Sequence, residues 1–237
     1  MITAFSIRTR VIVVLFFLCL GWLISYAFVG VVNGSWHVGL FEAIRIGIKG
    51  VAPAVGLAII LGHPRVIDFI WRCFPWLNSL IAPNLNGVYK LWIGTNFKLL
   101  LDRKNFYEGL SDVKADASTE INSDDLAHIG IVCVKAGLFA IRIHMTPLED
   151  APSASSSNVI SAVLEKAPSE GGFRLHYIFE SHVSNPSETD TQKYYGAATL
   201  QLSAGLVSDC SGDYWTNRAW FKGLNTAGRV RITRIAP

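Results

Sequence analysis

The sequence lacks the short motifs that mark common enzyme classes. It holds no G-x-S-x-G, H-E-x-x-H or G-x-x-x-x-G-K-[ST] pattern, and its six histidines show no metal-ligand spacing. The acid pairs Asp124-Asp125 and Glu149-Asp150 lie in loop-like stretches, where carboxylates are ordinarily solvated. We therefore expect a protein that is not an enzyme, with no metal site and no cofactor.

Cysteine is scarce, and its spacing excludes two further classes. Cys19, Cys73, Cys133 and Cys210 are scattered and form no C-x-x-C pair, which argues against a zinc site and against a disulfide framework. Isolated thiols of this kind suit a reducing cytoplasm.

Charged residues make up only 16% of the chain, and their signs are unevenly distributed. Residues 1–82 hold six Lys/Arg and two Asp/Glu, whereas residues 83–237 hold 15 and 16. The basic excess belongs to the first third, where it indicates membrane orientation. The slightly acidic remainder argues against binding of polymeric nucleic acid.

Apolar residues are abundant, and the first long run of them organises the chain. Residues 11–32 are 22 residues without one charge, preceded by Arg8 and Arg10. About 20 apolar residues allow a helix to cross a hydrocarbon core of roughly 30 Å. A cleaved signal peptide is the alternative, but its apolar region is usually about 7–15 residues long. The run therefore predicts a transmembrane helix.

A second apolar segment, residues 40–61, predicts the other helix of a transmembrane hairpin. Glu42, Arg45 and Lys49 interrupt it at i, i+3, i+7 spacing and so share one helix face. One interpretation is an ion-paired helix end whose long side chains reach the head groups. The other is a polar face that meets another helix in an oligomer.

Small residues in the same segment favour close helix packing. Gly47, Gly50 and Ala54 are three and four positions apart, a spacing that lets two helix backbones approach. The partner is either a second copy of the chain or the first helix of the same copy.

Residues 63–82 predict an amphipathic segment that leaves the bilayer at its surface. Arg8 and Arg10 precede the hairpin, and Arg65 and Arg72 follow it, so both ends of the chain are expected in the cytoplasm. The sequence thus divides into a membrane region, residues 1–82, and a cytoplasmic domain, residues 83–237.

The second domain is predicted to be all-β. Short runs with period-2 alternation, such as the apolar Phe173, Leu175, Tyr177 and Phe179 in "FRLHYIFES", are typical of half-buried strands. About eight such runs without helical periodicity between them favour an eight-stranded antiparallel β-barrel or a sandwich. We expect a long loop or a short helix at residues 97–125, and exposed loops at residues 146–153 and 184–192.

Polar residues on the inward-facing parity are the candidate ligand contacts. An eight-stranded barrel can hold one small ligand. Arg218 would bind a phosphate through its guanidinium fork, tyrosines would stack on bases, and hydroxyls would donate hydrogen bonds. The alternative is structural, with Arg218 closing the barrel end against an aromatic ring. The predicted set is Tyr89, Ser157, Tyr177, Tyr214, Thr216 and Arg218.

The order of these segments resembles a known family. The apolar hairpin is followed by "LNGVYKLWIG", "SASSSNVISAVL", "FRLHYIFES", "YYGAATLQL", "GDYWTNR" and "GRVRITR". This succession is similar to that of the CD-NTase-associated effectors of CBASS, the bacterial cyclic-oligonucleotide antiphage system, that carry two transmembrane helices and a β-barrel.

The resemblance implies a function for the whole chain. The barrel would bind a cyclic dinucleotide made by a partner nucleotidyltransferase, the protein would form a homo-oligomer, and its helices would disrupt the bacterial inner membrane and kill the infected cell. From the residues alone, a membrane-tethered lipocalin-like carrier of a small apolar ligand and a non-catalytic anchor for a partner protein remain alternatives.

Overall fold

In the computed structural model the second domain is a closed antiparallel β-barrel of eight strands in sequential order. The strands are β1 (Gly87–Thr95), β2 (Ala127–Ala136), β3 (Ile141–Pro147), β4 (Ser155–Ala167), β5 (Gly172–Val183), β6 (Lys193–Ser203), β7 (Asp209–Thr216) and β8 (Ala227–Ala236). The structure describes residues 15–16, 18–27, 31, 40–107, 126–137, 140–148, 154–167, 171–186, 190–203 and 208–236. The predicted eight-stranded barrel is confirmed.

The barrel forms because its strands place buried apolar side chains at alternate positions. The inward parity of β5 holds the buried Phe173 and Leu175, and β1 contributes Tyr89 and Leu91 in the same way. Closure pairs β1 with β8, so that the sheet has no free edge strand. The segment "SSSNVISAVL" lies within β4, as its pattern predicts.

The two ends of the barrel are filled differently. We call the end at which β1 begins the helix-side end and the end at which β1 finishes the open end. Side chains of the buried core, among them Leu85, Tyr89, Ile141, Phe173 and Leu202, occupy the helix-side end. The hydroxyl of Tyr89 donates a 2.9 Å hydrogen bond to the carbonyl oxygen of Leu85 there.

Residues 1–82 are mainly helical in their described part. Its helices are α1 (Leu18–Ala27), α2 (Leu40–Gly62), α3 (Pro64–Cys73) and α4 (Leu77–Leu80). Residues 11–14, 17, 28–30 and 32 of the first predicted span lie outside the described residues. The second predicted span, residues 40–61, agrees with α2 to within one residue. The predicted amphipathic segment corresponds to α3 and α4.

Helices α1 and α2 pack closely through small residues. A Cβ atom placed on Gly50 would lie 3.0 Å from the carbonyl oxygen of Gly21 and 3.0 Å from Cα of Trp22. A Cβ on Gly21 would lie 2.6 Å from Cβ of Ala54. In the structure, Gly50 and Ala54 of α2 therefore lie against α1 of the same chain, the second of the two alternatives.

None of the helices in the described ranges is by itself both long and apolar enough to span a bilayer. The stretch Ile48–Ile60 together with Pro64–Cys73 meets that criterion only as a pair bent by 79°.

The helices join the barrel at its helix-side end. The side chain of Asn86 accepts a 2.7 Å hydrogen bond from the amide of Ala136 and donates one of 2.9 Å to its carbonyl oxygen. Trp71 donates from Nε1 to the carbonyl oxygen of Ala82, at 2.7 Å. These bonds attach α3 and the following segment to the barrel.

The stretch expected to be a long loop or a short helix, residues 97–125, begins with a helix, α5 (Phe97–Tyr107), and its residues 108–125 lie outside the described part. Two predicted loops differ from expectation. Strand β3 continues through Pro147, so Thr146 and Pro147 are not loop residues. The expectation of an exposed loop at residues 184–192 is wrong for Asp190, whose side chain is only 5% exposed. The polar composition of residues 184–192 did not indicate that Asp190 would be buried by pairing with Arg218.

Cysteine reactivity provides a test of this packing. Cys210 is buried, and its removal from water raises the pKa of its thiol to about 12. Because the thiolate is the reactive form, we expect Cys210 to resist alkylation by iodoacetamide at pH 8, whereas the exposed Cys73 reacts. Peptide mass spectrometry of native and guanidinium-unfolded protein measures the alkylation of both thiols. Equal labelling of the two in native protein would contradict this core.

Candidate ligand site in the barrel

The barrel contains a cavity of about 470 Å³ that extends towards its open end. This volume lies within the range of about 300–1,000 Å³ that small-molecule sites occupy. Most of its wall is apolar and comes from inward-facing strand residues, among them Leu91, Val132, Ile143, Met145, Val159 and Phe179. The polar groups of the wall gather at the open end.

The only described charges in this wall are Arg218 and Asp190. Nε of Arg218 donates to Oδ1 of Asp190 at 2.6 Å, and Nη2 of Arg218 pairs with Oδ2. The guanidinium also lies over the ring of Tyr194, 5.1 Å from its centroid. The pair is two-pronged and largely shielded from water, which makes its hydrogen bonds strong.

The backbone after β7 places Arg218 at the open end. Strand β7 ends at Thr216, so Arg218 belongs to the turn and not to the strand that was predicted to carry it. Asn217 holds this turn to β6, with hydrogen bonds of 2.9 Å and 2.7 Å to the backbone of Tyr195. Ala219 is buried and has φ of 47°, a conformation that tertiary contacts must hold in place for a residue with a Cβ.

Hydroxyl groups around the cavity bond mainly to one another. Ser157 bonds to Ser181 at 2.6 Å and Thr216 to Thr226 at 2.7 Å. Ser155 bonds to the hydroxyl of Tyr194 at 3.0 Å. These pairs satisfy buried polar atoms, and each hydroxyl retains lone-pair capacity that a ligand can use.

Tyr177 is the exception among these hydroxyls. Its ring lines the cavity beside Phe179, with ring centroids 6.0 Å apart. Within the described ranges no protein group makes a hydrogen bond to its hydroxyl. Burial raises the pKa of Tyr177 above its ordinary value, so the group is a neutral donor at physiological pH. Burial also raises the pKa of Tyr214.

The cavity brings together five of the six predicted residues: Ser157, Tyr177, Tyr214, Thr216 and Arg218. Tyr89 is not part of its wall. Tyr89 lies deeper in the core, where Arg234 stacks over its ring at 5.7 Å and burial raises the pKa of the phenol to about 12. Ligand contact stays a prediction for the other five. The guanidinium of Arg218 lies over the ring of Tyr194, a contact that the structural alternative for Arg218 also expects.

Sequence reasoning missed Asp190 and Tyr194. Tyr194 was detectable, because it shares the inward parity of β6 with Ala198 and Leu200. Asp190 had no such signal, because it stands in the polar stretch "SETDTQ" and is recruited to the cavity through its pairing with Arg218. No group of three metal-binding side chains occurs among the residues that can be described.

Comparison with known proteins identifies one significant relative. The chain is 31% identical over 180 residues to CD-NTase-associated protein 15 of Escherichia albertii, an alignment that covers 75% of this chain and 74% of that protein. No family model and no solved structure matches the chain significantly.

Proposed function

Because the chain belongs to the family of CD-NTase-associated protein 15, a family of CBASS-associated effectors, we propose that its barrel binds a cyclic dinucleotide and thereby activates a membrane-disrupting protein. The observation that supports this most directly is Arg218, a guanidinium held at the open end of a ligand-sized cavity. In the proposal the chain is an effector and not an enzyme. It resides in the bacterial inner membrane with both ends in the cytoplasm.

The chemistry of the cavity fits a nucleotide. An arginine fork donates two hydrogen bonds to one phosphate of a cyclic dinucleotide, and the bases stack on tyrosine rings. Tyr194 and Tyr214 lie beside Arg218, and Tyr177 lies farther inside. The ligand phosphate would replace Asp190 as the partner of Arg218, so that binding releases the segment that carries Asp190.

Release of that segment offers a route to assembly. A ligand drives oligomerisation only if it binds the assembled state more tightly than the free one. A shift from 1:99 to 99:1 needs about 5.5 kcal/mol of differential affinity. Since Gly50 and Ala54 are covered by α1, the surface of α2 left for another copy carries the exposed Arg45 and Lys49 together with exposed apolar side chains such as Ile48 and Ile59. Glu42 and Gly47 also belong to α2, and their side chains lie outside the described part.

The apolar wall of the cavity favours a second candidate function, a carrier for a small apolar ligand. The two functions differ in their need for Arg218, because an aliphatic chain gains nothing from a guanidinium. Calorimetric titration of the full chain in nanodiscs with cyclic di-GMP, cyclic di-AMP and a mixed purine–pyrimidine cyclic dinucleotide tests the first. Binding of none of these, together with saturable uptake of a fluorescent fatty alcohol, which carries no charge for Arg218 to bind, would establish the carrier instead.

Tyr177 provides a sharper prediction within the first function. We expect Tyr177→Phe to weaken the binding of a cyclic dinucleotide by about 5- to 10-fold, because the substitution removes one hydrogen-bond donor worth about 1 kcal/mol. Thermal stability should change little, since no described group loses a hydrogen bond. The matched control is Tyr195→Phe, which removes a hydroxyl on the outward parity of β6. Equal effects of the two substitutions would contradict a role for Tyr177 in binding.

A further inference from the structure

A second concavity, distinct from the barrel interior, lies where the helices meet the helix-side end. It has a volume of about 1,080 Å³ and lies between α1 and α2 on one side and the β2–β3 hairpin on the other. Its helical wall is apolar and includes Leu18, Val55 and Ile59. Its other wall is basic. We call this concavity the junction groove.

The basic wall consists of Arg65, Lys135 and Arg142, all exposed. Lys135 of β2 and Arg142 of β3 are direct cross-strand partners, so their side chains leave the sheet on the same face. Cβ atoms of such partners are about 5 Å apart, and like charges at that distance repel. Across the described part of the chain, none of the three cations pairs with a carboxylate.

The remaining polar groups of the junction groove do not neutralise this charge. Asp68 is its only described acid, and both its oxygens are engaged, one by Arg72 at 2.8 Å and the other by Asn84 at 2.8 Å. Helix α3 begins in the groove, with His63 as its N-cap and no acid in its first turn. The positive end of the helix dipole therefore adds to the three cations.

The groove thus has one end suited to an anion and one suited to hydrocarbon. We propose that the junction groove binds an anionic phospholipid, with the headgroup phosphate between Lys135, Arg142 and Arg65 and the acyl chains along α1 and α2. A phosphate there would turn the repulsion between Lys135 and Arg142 into two attractions. This inference rests on the membrane placement in the proposed function, but not on what the barrel binds.

The test uses the full chain in dodecyl maltoside micelles and follows its unfolding temperature. Dioleoyl phosphatidylglycerol should raise this temperature in a saturable way, whereas dioleoyl phosphatidylcholine and inorganic phosphate at the same concentration should not. In Lys135→Glu we expect the apparent affinity for phosphatidylglycerol to fall at least fivefold. Without lipid this variant should be as stable as the parent or more so, because the new carboxylate faces Arg142.

Lys98→Glu is the matched control, since it makes the same charge change on an exposed lysine of α5 at the open end. Arg142→Gln, which removes one charge and adds none, is the second variant. An equal response to phosphatidylglycerol in Lys135→Glu and Lys98→Glu, or a response to inorganic phosphate as large as that to the lipid, would overturn the inference. Titration of the same samples with a cyclic dinucleotide separates this failure from failure of the proposed function.

Discussion

Substitution of Arg218 by alanine should weaken cyclic dinucleotide binding by about 10- to 100-fold, the value of a two-pronged charged contact. It should also lower the free energy of unfolding by about 2–3 kcal/mol, because Asp190 is left as a shielded carboxylate without its partner. Calorimetry of the full chain in nanodiscs measures the first effect. Urea unfolding followed by tryptophan fluorescence measures the second.

The two effects of this substitution can be separated. The double variant Arg218→Ala/Asp190→Ala removes both charges, so it should recover most of the lost stability and none of the lost binding. Asp190→Asn should bind the ligand about tenfold more tightly than the parent, since a phosphate no longer competes with a carboxylate for the guanidinium. If the double variant bound as the parent does, Arg218 would be a structural residue only.

The second large effect is expected at the contact between α1 and α2. In Gly50→Leu the Cβ atom would lie 3.0 Å from the carbonyl oxygen of Gly21 and 3.0 Å from Cα of Trp22, and the rest of the leucine side chain has no space there. The two helices must therefore separate. We expect ligand-triggered dye release from phosphatidylcholine–phosphatidylglycerol vesicles to fall more than tenfold. The affinity of the barrel for its ligand should not change, because the cavity extends towards the open end of the barrel and the helices join the helix-side end.

Gly56→Leu is the matched control on the same helix. A Cβ at Gly56 has no atom within 4 Å, so the substitution changes size and hydropathy equally without moving α1. Normal dye release in Gly50→Leu, or an equal loss in both variants, would show that the packing of these two helices is unimportant for the activity.

The sequence was sufficient for the barrel because a strand that faces a core must alternate. Phe173, Leu175, Tyr177 and Phe179 repeat at period 2, and a shift of one residue would expose all four, so the strand and its inward face follow from the pattern. The same parity brought Ser157, Tyr177 and Tyr214 to the cavity. Parity does not report depth along the barrel, and Tyr89 therefore shared the pattern without sharing the cavity.

The rest depended on contacts between distant segments. Asp190 follows no periodicity, and only its pairing with Arg218, 28 positions away, reveals its role. The turn that carries Arg218 could not be deduced from "YWTNR", because the alternating pattern continues to Arg218, two residues past the end of β7 at Thr216. Likewise, the small residues of α2 predicted a close helix neighbour, and only the structure identified α1, with Gly21 at the contact, as that neighbour.

The uneven filling of the barrel limits how an occupant can act at a distance. Strand β1 has nine residues, so the rim of the barrel at its open end lies about 20 Å along the barrel axis from the helices. Between the cavity and the helices lies the buried hydrocarbon core of the helix-side end, which resists local deformation. In the proposed function an occupant therefore has its greatest mechanical influence on the rim, where adjacent copies of the proposed oligomer would meet side by side. Crosslinks engineered between rims should form sooner after ligand addition than crosslinks between helices.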